Sequence, residues 1–149
     1  VKVLGPEAGW DSVCAWTPDE RGRALRCAAM WTTETDDDGE FETRTWQRPH
    51  PLGTGELGRA FGEGDASWLS GLDDSEDDRL TAAAGMRSAV LVPVRSGCTP
   101  VALLELLSRR ELAPDAELGA SMDAIALQLG HFWQLLRQGA QPHWRLGRL

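Results

Sequence analysis

The sequence has 149 residues, the length of one ordinary domain. Its 15 basic and 23 acidic residues give a net charge of −8, which disfavours nucleic-acid backbones and anionic lipid as partners. No apolar run reaches the roughly 18–20 residues that cross a bilayer, and no signal-peptide pattern opens the chain. The composition therefore predicts a cytoplasmic domain with neither nucleic acid nor membrane as a partner.

Two strands are predicted at the start of the chain. Residues 10–17 are rich in strand-forming side chains and end at a turn signal over residues 18–22. Residues 24–33 follow as a second strand, so the two strands form a hairpin.

The first hairpin contains two of the three cysteines of the chain. If its loop is residues 19–22, Cys14 lies opposite Cys27 and Trp16 lies opposite Leu25, and all four side chains share one face. Cys14 and Cys27 are therefore candidates for a redox pair. An odd number of cysteines without a close pair does not predict a disulfide framework.

The middle of the chain alternates short elements with loops. The predicted segments are, in order, an acidic loop at 34–39, an element at 41–47 that is ambiguous between helix and strand, a loop at 48–55, a helix at 56–63, a strand at 66–70, an acidic run at 73–78 and a helix at 77–85.

Residues 86–95 and 100–108 predict a second hairpin around residues 96–99. Apolar residues occupy both alternating sets of positions in these two strands, although Glu105 interrupts the run. This pattern is typical of central strands that are buried on both faces.

A long helix is predicted to begin at Pro114, with Asp115 and Glu117 in its first turn. Phe132 and Trp133 are adjacent and cannot both face one groove, which favours a partner helix over packing on the sheet alone. The predicted dimer or signalling helix has a heptad seam, and its candidate residues are Leu118, Met122, Ile125, Leu129, Phe132, Trp133 and Leu136.

Sequential strands joined by tight turns predict an antiparallel sheet with helices on it, an α+β fold. Several stretches, in this order, resemble GAF domains of bacterial sensor proteins. They are GWDS followed by AW and PD at 9–19, the strand at 25–31, GTGELGRAF at 53–61, Trp68 with Asp73, GMRSAVLVPV at 85–94 and VALLELLSR at 101–109.

The resemblance implies a six-stranded antiparallel sheet with helices packed on one face and a loop-covered pocket on the other. It covers residues 5–138 of a single domain spanning 1–149, with a tail at 139–149. GAF domains normally begin with a helix before the first strand. Only residues 1–8 precede that strand here, so we expect the helix to be truncated or absent.

The resemblance also implies that the chain is a regulatory module, which binds an unidentified small molecule and signals through its terminal helices. The expected protein is a homodimer, is not an enzyme, and acts on an effector domain elsewhere in the full-length chain. The alternatives are a ligand-free scaffold for dimerisation and a thiol-based reductase or redox sensor. By the layout of the family, the pocket candidates are Trp31, Trp46, Leu52, Leu57, Phe61 and Trp68.

Other motifs point to no further site. Gly53, Gly55 and Gly58 match a dinucleotide fingerprint, but no buried strand precedes them and no βαβ unit follows, so a turn before a short helix is predicted. No Cys-His dipeptide for a bilin and no asparagine for the cyclic-nucleotide signature occur. His131 is read as a surface or seam-flanking residue rather than as a haem ligand. No catalytic set and no metal site are predicted, and the cofactor is left open.

Overall fold

The computed structural model describes residues 10–32, 39–63, 66–72 and 85–111, together with Ala120, Met122, Ala124 and Ala126. In the described ranges up to residue 111, six strands and two helices follow one another. They are β1 (Ser12–Pro18), β2 (Ala24–Thr32), α1 (Glu40–Gln47), β3 (His50–Pro51), α2 (Gly55–Gly62), β4 (Ser67–Leu69), β5 (Ser88–Ser96) and β6 (Thr99–Ser108). No helix in this part of the chain is long and apolar enough to cross a membrane.

All strand pairs of the described sheet are antiparallel, in the order β3-β2-β1-β6-β5-β4. The two predicted hairpins are therefore present, and they join edge to edge through β1 and β6. This confirms the predicted α+β class and the antiparallel sheet.

The β5–β6 hairpin forms the centre of the sheet. Residues 88–94 and 101–108 are buried without interruption, because both sheet faces are covered there. This confirms the prediction drawn from apolar residues at both alternating sets of positions. Gly97 closes the turn with a φ of 65°, a conformation that favours glycine.

The two faces of the sheet pack against different elements. We call one the α1/α2 face, because Phe41 of α1 and Leu57 and Phe61 of α2 pack with strand residues there. We call the other the Met122 face, because Met122 and Ala126 pack on it. These two residues are helical and pack on the sheet face opposite α1 and α2.

The ambiguous segment at 41–47 is helical. Phe41 and Thr45, one helical turn apart, are both fully buried, and this spacing places them on one face of a helix. The helix ends against β2, where the guanidinium of Arg26 donates to the carbonyl oxygen of Gln47 at 2.9 Å. The predicted loop that follows is wrong in one detail, because His50–Pro51 forms a short edge strand on β2.

The register of the first hairpin differs from the prediction. The backbone N–H of Asp19 donates to the carbonyl of Ala24, so the turn extends to Arg23 instead of ending at residue 22. A bulge then leaves Ala28 outside the one-to-one pairing of β1 with β2. These two shifts displace the strands along each other, and Cys14 is therefore not opposite Cys27.

The corrected register pairs Trp16 with Cys27 and Cys14 with Met30. The shared face was nevertheless predicted correctly. Cys14, Trp16 and Leu25 lie in one core cluster, against which Cys27 packs.

Several predicted segments lie outside the described residues. These are residues 1–9 before the first strand, the acidic runs at 34–38 and 73–78, the helix at 77–84 and the tail at 139–149. The domain limits of 1–149, with a core of 5–138, remain predictions.

Candidate functional site

A buried carboxylate lies on the α1/α2 face at the middle of the sheet. Glu105 of β6 is 2% exposed, and its Cα pairs with Cys14 of β1 on one side and Leu91 of β5 on the other. Leu103 and Leu107, two positions away on β6, point to the same face and belong to its core cluster. An acidic side chain therefore sits within an apolar surface.

Trp16 contacts this carboxylate directly. The indole Nε1–H of Trp16 donates to Oε1 of Glu105 across 3.1 Å, and Trp16 is fully buried. The imidazole of His50 stands edge-on to the Trp16 ring, with 4.8 Å between ring centroids. β1, β6 and the edge strand β3 thus bring an acid and two nitrogen-containing rings together.

Helix α2 covers this face. Leu57, Ala60 and Phe61 are its buried residues in the core cluster, and Leu52 packs against them from the preceding turn. Three predicted pocket residues, Leu52, Leu57 and Phe61, are therefore brought together. Their role in binding remains a prediction.

The two tryptophans predicted to line the pocket from β2 and α1 are less closely tied to this cluster. Trp46 lies on α1 and is half-buried. Trp31 is paired with Val13 in the sheet, and its side chain lies outside the described residues. Both remain candidates by position alone.

Trp68 does not share the α1/α2 face with Leu52, Leu57 and Phe61, and its role in binding remains a prediction. It packs with the cluster of the Met122 face, and its ring centroid is 6.4 Å from that of Trp10. The physical reason is strand alternation: the neighbouring Leu69 packs against the α1/α2 cluster, so Trp68 points to the opposite face.

The glycine motif at residues 53–58 is explained by close packing. A Cβ at Gly58 would stand 2.0 Å from the carbonyl oxygen of Pro51, and the carbonyl of Gly58 accepts from the backbone N–H of Gly53. Gly53 itself has a φ of 81°. The motif is thus a turn packed tightly on α2, as the sequence predicted.

The three cysteines are free and occupy different environments. Cys14 is buried, Cys27 is half-buried and Cys98 is exposed in the β5–β6 turn. The thiol of Cys27 donates to the carbonyl of Ala29 at 3.4 Å. Because Cys14 and Cys27 are diagonal, they are about 7–8 Å apart by sheet geometry, a separation at which a disulfide requires backbone movement.

The terminal helix is described at few positions. Met122 of the predicted seam is buried on the sheet together with Ala126, whereas Ala120 and Ala124 are exposed. Met122 therefore packs within its own domain. The other seam candidates, Leu118, Ile125, Leu129, Phe132, Trp133 and Leu136, lie outside the described residues.

The exit of β6 is fixed to the start of β1. The backbone N–H of Arg109 donates to Oδ2 of Asp11 at 2.7 Å, and the Arg109 guanidinium is 3.6 Å from Oδ1 of the same carboxylate. Asp11 in turn donates its backbone N–H to the carbonyl of Leu107. The strand that carries Glu105 is therefore anchored just before the chain leaves the sheet.

Glu105 is the site residue that the sequence reasoning missed. The available signal was a single charged residue within an otherwise apolar buried strand, which is rare unless the charge has a partner. By its sequence pattern alone, Glu105 marks only an interruption of an apolar run. Within the described part of the chain, no group of three or more His, Cys, Asp or Glu side chains is placed to hold a metal ion.

Comparison with solved structures shows that this architecture has the fold of GAF domains. No protein-family model matches the sequence, and no curated protein matches it. The second GAF domain of DevS from Mycobacterium smegmatis has a TM-score of 0.67 at 20% identity, covering 92% of this chain and 92% of that one. The GAF domain of an Acinetobacter phosphoenolpyruvate-protein phosphotransferase has a TM-score of 0.72 at 13% identity, covering 95% and 81%. The chain has the GAF fold.

A third solved structure corrects one prediction. The free methionine-R-sulfoxide reductase of Neisseria meningitidis, solved with its substrate, has a TM-score of 0.70 at 22% identity and covers 93% of this chain and 75% of that one. The prediction that the chain is not an enzyme is therefore wrong. That prediction follows from the resemblance to sensor domains, but free methionine-R-sulfoxide reductases share the same fold.

Proposed function

We propose that this chain is a regulatory domain that binds a small molecule on its α1/α2 face and passes the signal to an effector domain through its terminal helix. The observation that carries the proposal is the buried Glu105 carboxylate, held by the Trp16 indole beneath α2. Small-molecule sites are mostly apolar, with a few placed polar groups that orient the ligand. The α1/α2 face has this character.

The opposite face has a different character. Its core cluster consists of apolar and aromatic side chains, with Val90, Val92 and Leu106 from the central strands and Met122 from the helix. Such a surface suits permanent packing of a helix on a sheet. The chemical contrast between the two faces supports ligand recognition on one and signal output on the other.

Strand β6 connects the two functions in the proposed mechanism. It carries Glu105 on the α1/α2 face and Leu104 and Leu106 on the Met122 face. A ligand shifts the conformational equilibrium only if it binds two states with different affinity. We expect the bound and free states to differ at β6 and at the Asp11–Arg109 anchor, and we expect the domain to act as a cytoplasmic homodimer.

Native mass spectrometry of the purified protein tests this proposal. We expect an extra mass that leaves on denaturation. Leu57→Ala, on the α1/α2 face, is expected to reduce its occupancy. The matched control is Leu104→Ala, which removes the same atoms from a buried leucine on the Met122 face and is expected to keep the extra mass. A bare chain mass in repeated wild-type preparations contradicts a tightly held ligand, and as a dimer it favours a ligand-free scaffold.

A thiol-based reductase is a second candidate. Free methionine-R-sulfoxide reductases share the fold, and two thiols lie on the α1/α2 face here, Cys14 beside Glu105 and Cys27 half-buried. In such a reaction a thiol takes the oxygen of the sulfoxide and becomes a sulfenic acid, while the sulfoxide becomes a thioether. An external dithiol then restores the thiol, forming its own disulfide and water.

An assay with free methionine sulfoxide and dithiothreitol tests the reductase. Methionine formation is followed in the wild type and in Cys14→Ser, Cys27→Ser and Cys98→Ser. Turnover that is lost in one strand-cysteine variant and retained in Cys98→Ser supports catalysis on this face. Absence of methionine above the protein-free control excludes this reaction.

A further inference from the structure

The residue before β1 holds the point where the chain leaves β6. The carboxylate of Asp11 accepts a hydrogen bond from the backbone N–H of Arg109 at 2.7 Å, and its other oxygen lies 3.6 Å from the Arg109 guanidinium. One carboxylate thus binds both the backbone and the side chain of the first residue after β6, which fixes that residue in position and in direction. The Asp11 and Arg109 side chains are 27% and 28% exposed, so solvent screens this contact less than an ion pair on the open surface.

The same contact marks the end of the ladder between β1 and β6. The backbone N–H of Asp11 donates to the carbonyl of Leu107 at 2.8 Å, beside the last strand pair, Ser12 with Leu107. The N–H of Arg109 is then bound by a side-chain oxygen, and β6 ends at Ser108. The path by which the chain leaves the sheet therefore depends on the Asp11 side chain.

The residue before Asp11 belongs to the buried cluster that holds the helix following β6. Trp10 is 1% exposed and shares the cluster of the Met122 face with Met122 and Ala126. Two adjacent residues thus hold the chain where it leaves the sheet and again where it packs on the sheet as a helix. Because Trp10 and Asp11 share one planar peptide unit, a displacement of either residue moves the other.

We propose that Trp10 and Asp11 form a joint, which couples the chain before β1 to the helix that contains Met122. Energetic coupling is carried by packed side chains and hydrogen bonds that are in contact with one another, and the joint supplies both kinds of contact. A displacement of the chain before β1 reaches the helix through these two residues without passing through the α1/α2 face. The joint therefore goes beyond the proposed function, in which β6 carries the signal of a bound ligand.

Asp11→Ala tests one direction of the coupling by NMR of the whole chain. The substitution removes the carboxylate from the exit of β6, and we expect the methyl signals of Met122 and Ala126 to shift, because the Trp10 ring moves and its ring current changes at both methyl groups. The control is Glu111→Ala, because the Glu111 carboxylate contacts the segment after β4 and the residue before β5 at the same exit. Methyl signals that stay in place in Asp11→Ala, or that shift as far in Glu111→Ala, overturn the joint.

Trp10→Leu tests the opposite direction. It removes the indole ring from the Met122 face, and we expect the amide signal of Arg109 to shift, because the carboxylate of Asp11 moves with residue 10. The control is Trp68→Leu, since the Trp68 ring packs with the same cluster at a centroid distance of 6.4 Å from Trp10 but belongs to β4. An Arg109 signal that stays in place in Trp10→Leu, or that shifts as far in Trp68→Leu, also overturns the joint.

These readouts separate a joint from a purely stabilising contact. Chemical shifts of the folded molecules report their geometry, so a loss of stability alone does not move them. Two independent contacts would each be detected only locally, Asp11→Ala at Arg109 and Trp10→Leu at Met122. If Trp10→Leu does not fold, the comparison of Asp11→Ala with Glu111→Ala decides between the two arrangements.

Discussion

The Trp16–Glu105 hydrogen bond is expected to couple two strands of the sheet energetically. Glu105→Leu leaves the buried indole N–H without this acceptor, which costs about 1–3 kcal/mol. Trp16→Phe removes the indole donor from the buried carboxyl group of Glu105, and the loss of this hydrogen bond to a buried acceptor costs about 1–3 kcal/mol. The double variant removes both partners, so we expect its destabilisation to fall short of the sum by about 1–3 kcal/mol.

Urea denaturation followed by far-UV circular dichroism measures this cycle without depending on tryptophan fluorescence. At this chain length, each kcal/mol moves the melting temperature by about 2–4 °C, so thermal melts provide a second readout. The control is Trp10→Phe, because the Trp10 indole is equally buried but its Nε1 has no hydrogen-bond partner among the described residues. We expect Trp10→Phe and Glu105→Leu to be additive. A coupling below about 0.5 kcal/mol between Trp16 and Glu105 refutes the reasoning.

Three further predictions follow from the backbone and the thiols. Gly58→Ala forces a backbone shift and is expected to cost about 1–3 kcal/mol. Gly62→Ala in the same helix has free space and is expected to be neutral or stabilising by up to about 1 kcal/mol. Similar urea midpoints for the two variants would contradict this prediction. The backbone N–H of Arg23 hydrogen-bonds to Asp19 and lowers the pKa of its carboxyl. The folded state therefore binds this proton less readily than the unfolded chain, so the contribution of Asp19 to stability is present above about pH 4 and is lost as the pH falls through the lowered pKa. Asp19→Asn is expected to weaken this acid dependence in urea titrations at several pH values, and an unchanged pH profile would argue against it. Exposed Cys98 is expected to react with iodoacetamide first in the folded protein, as measured by peptide mass spectrometry, and faster labelling of either strand cysteine would show that the sheet opens.

The sheet was predictable because several independent features of the sequence indicate the same strands. Apolar residues at both alternating sets in β5 and β6 allow few arrangements other than central strands, and the hairpins follow from short turns. The segment at 41–47 was ambiguous because a run of seven residues fits either the helical or the strand period. Burial of Phe41 and Thr45 one turn apart decided it in favour of a helix.

The errors arose where one residue changes a face or a register. The longer turn at Asp19–Arg23 and the bulge at Ala28 change which residues face each other across β1 and β2. The local sequence pattern does not predict the bulge. The three-residue strand β4 is too short for its alternation to show which face Trp68 takes. Such strands obtain their orientation from their partner, which here is β5.

The candidate site was only partly predictable for a related reason. Leu52, Leu57 and Phe61 could be placed together by resemblance, since they lie in one short stretch. Glu105 and Trp16 are 89 positions apart in sequence, and their contact depends on the pairing of β1 with β6. That pairing joins two hairpins distant in the chain, and local sequence patterns do not specify it.

The most direct test of ligand binding on the α1/α2 face uses the tryptophan indoles as reporters. Trp16 lies on that face, whereas Trp10 and Trp68 lie on the Met122 face. Protein stripped by washing in mild urea is compared, by ¹H–¹⁵N spectra, before and after addition of the small-molecule fraction that heating releases from the purified protein. We predict that the Trp16 indole signal moves while those of Trp10 and Trp68 stay in place. Unchanged spectra, or movement confined to Trp10 and Trp68, would contradict the account.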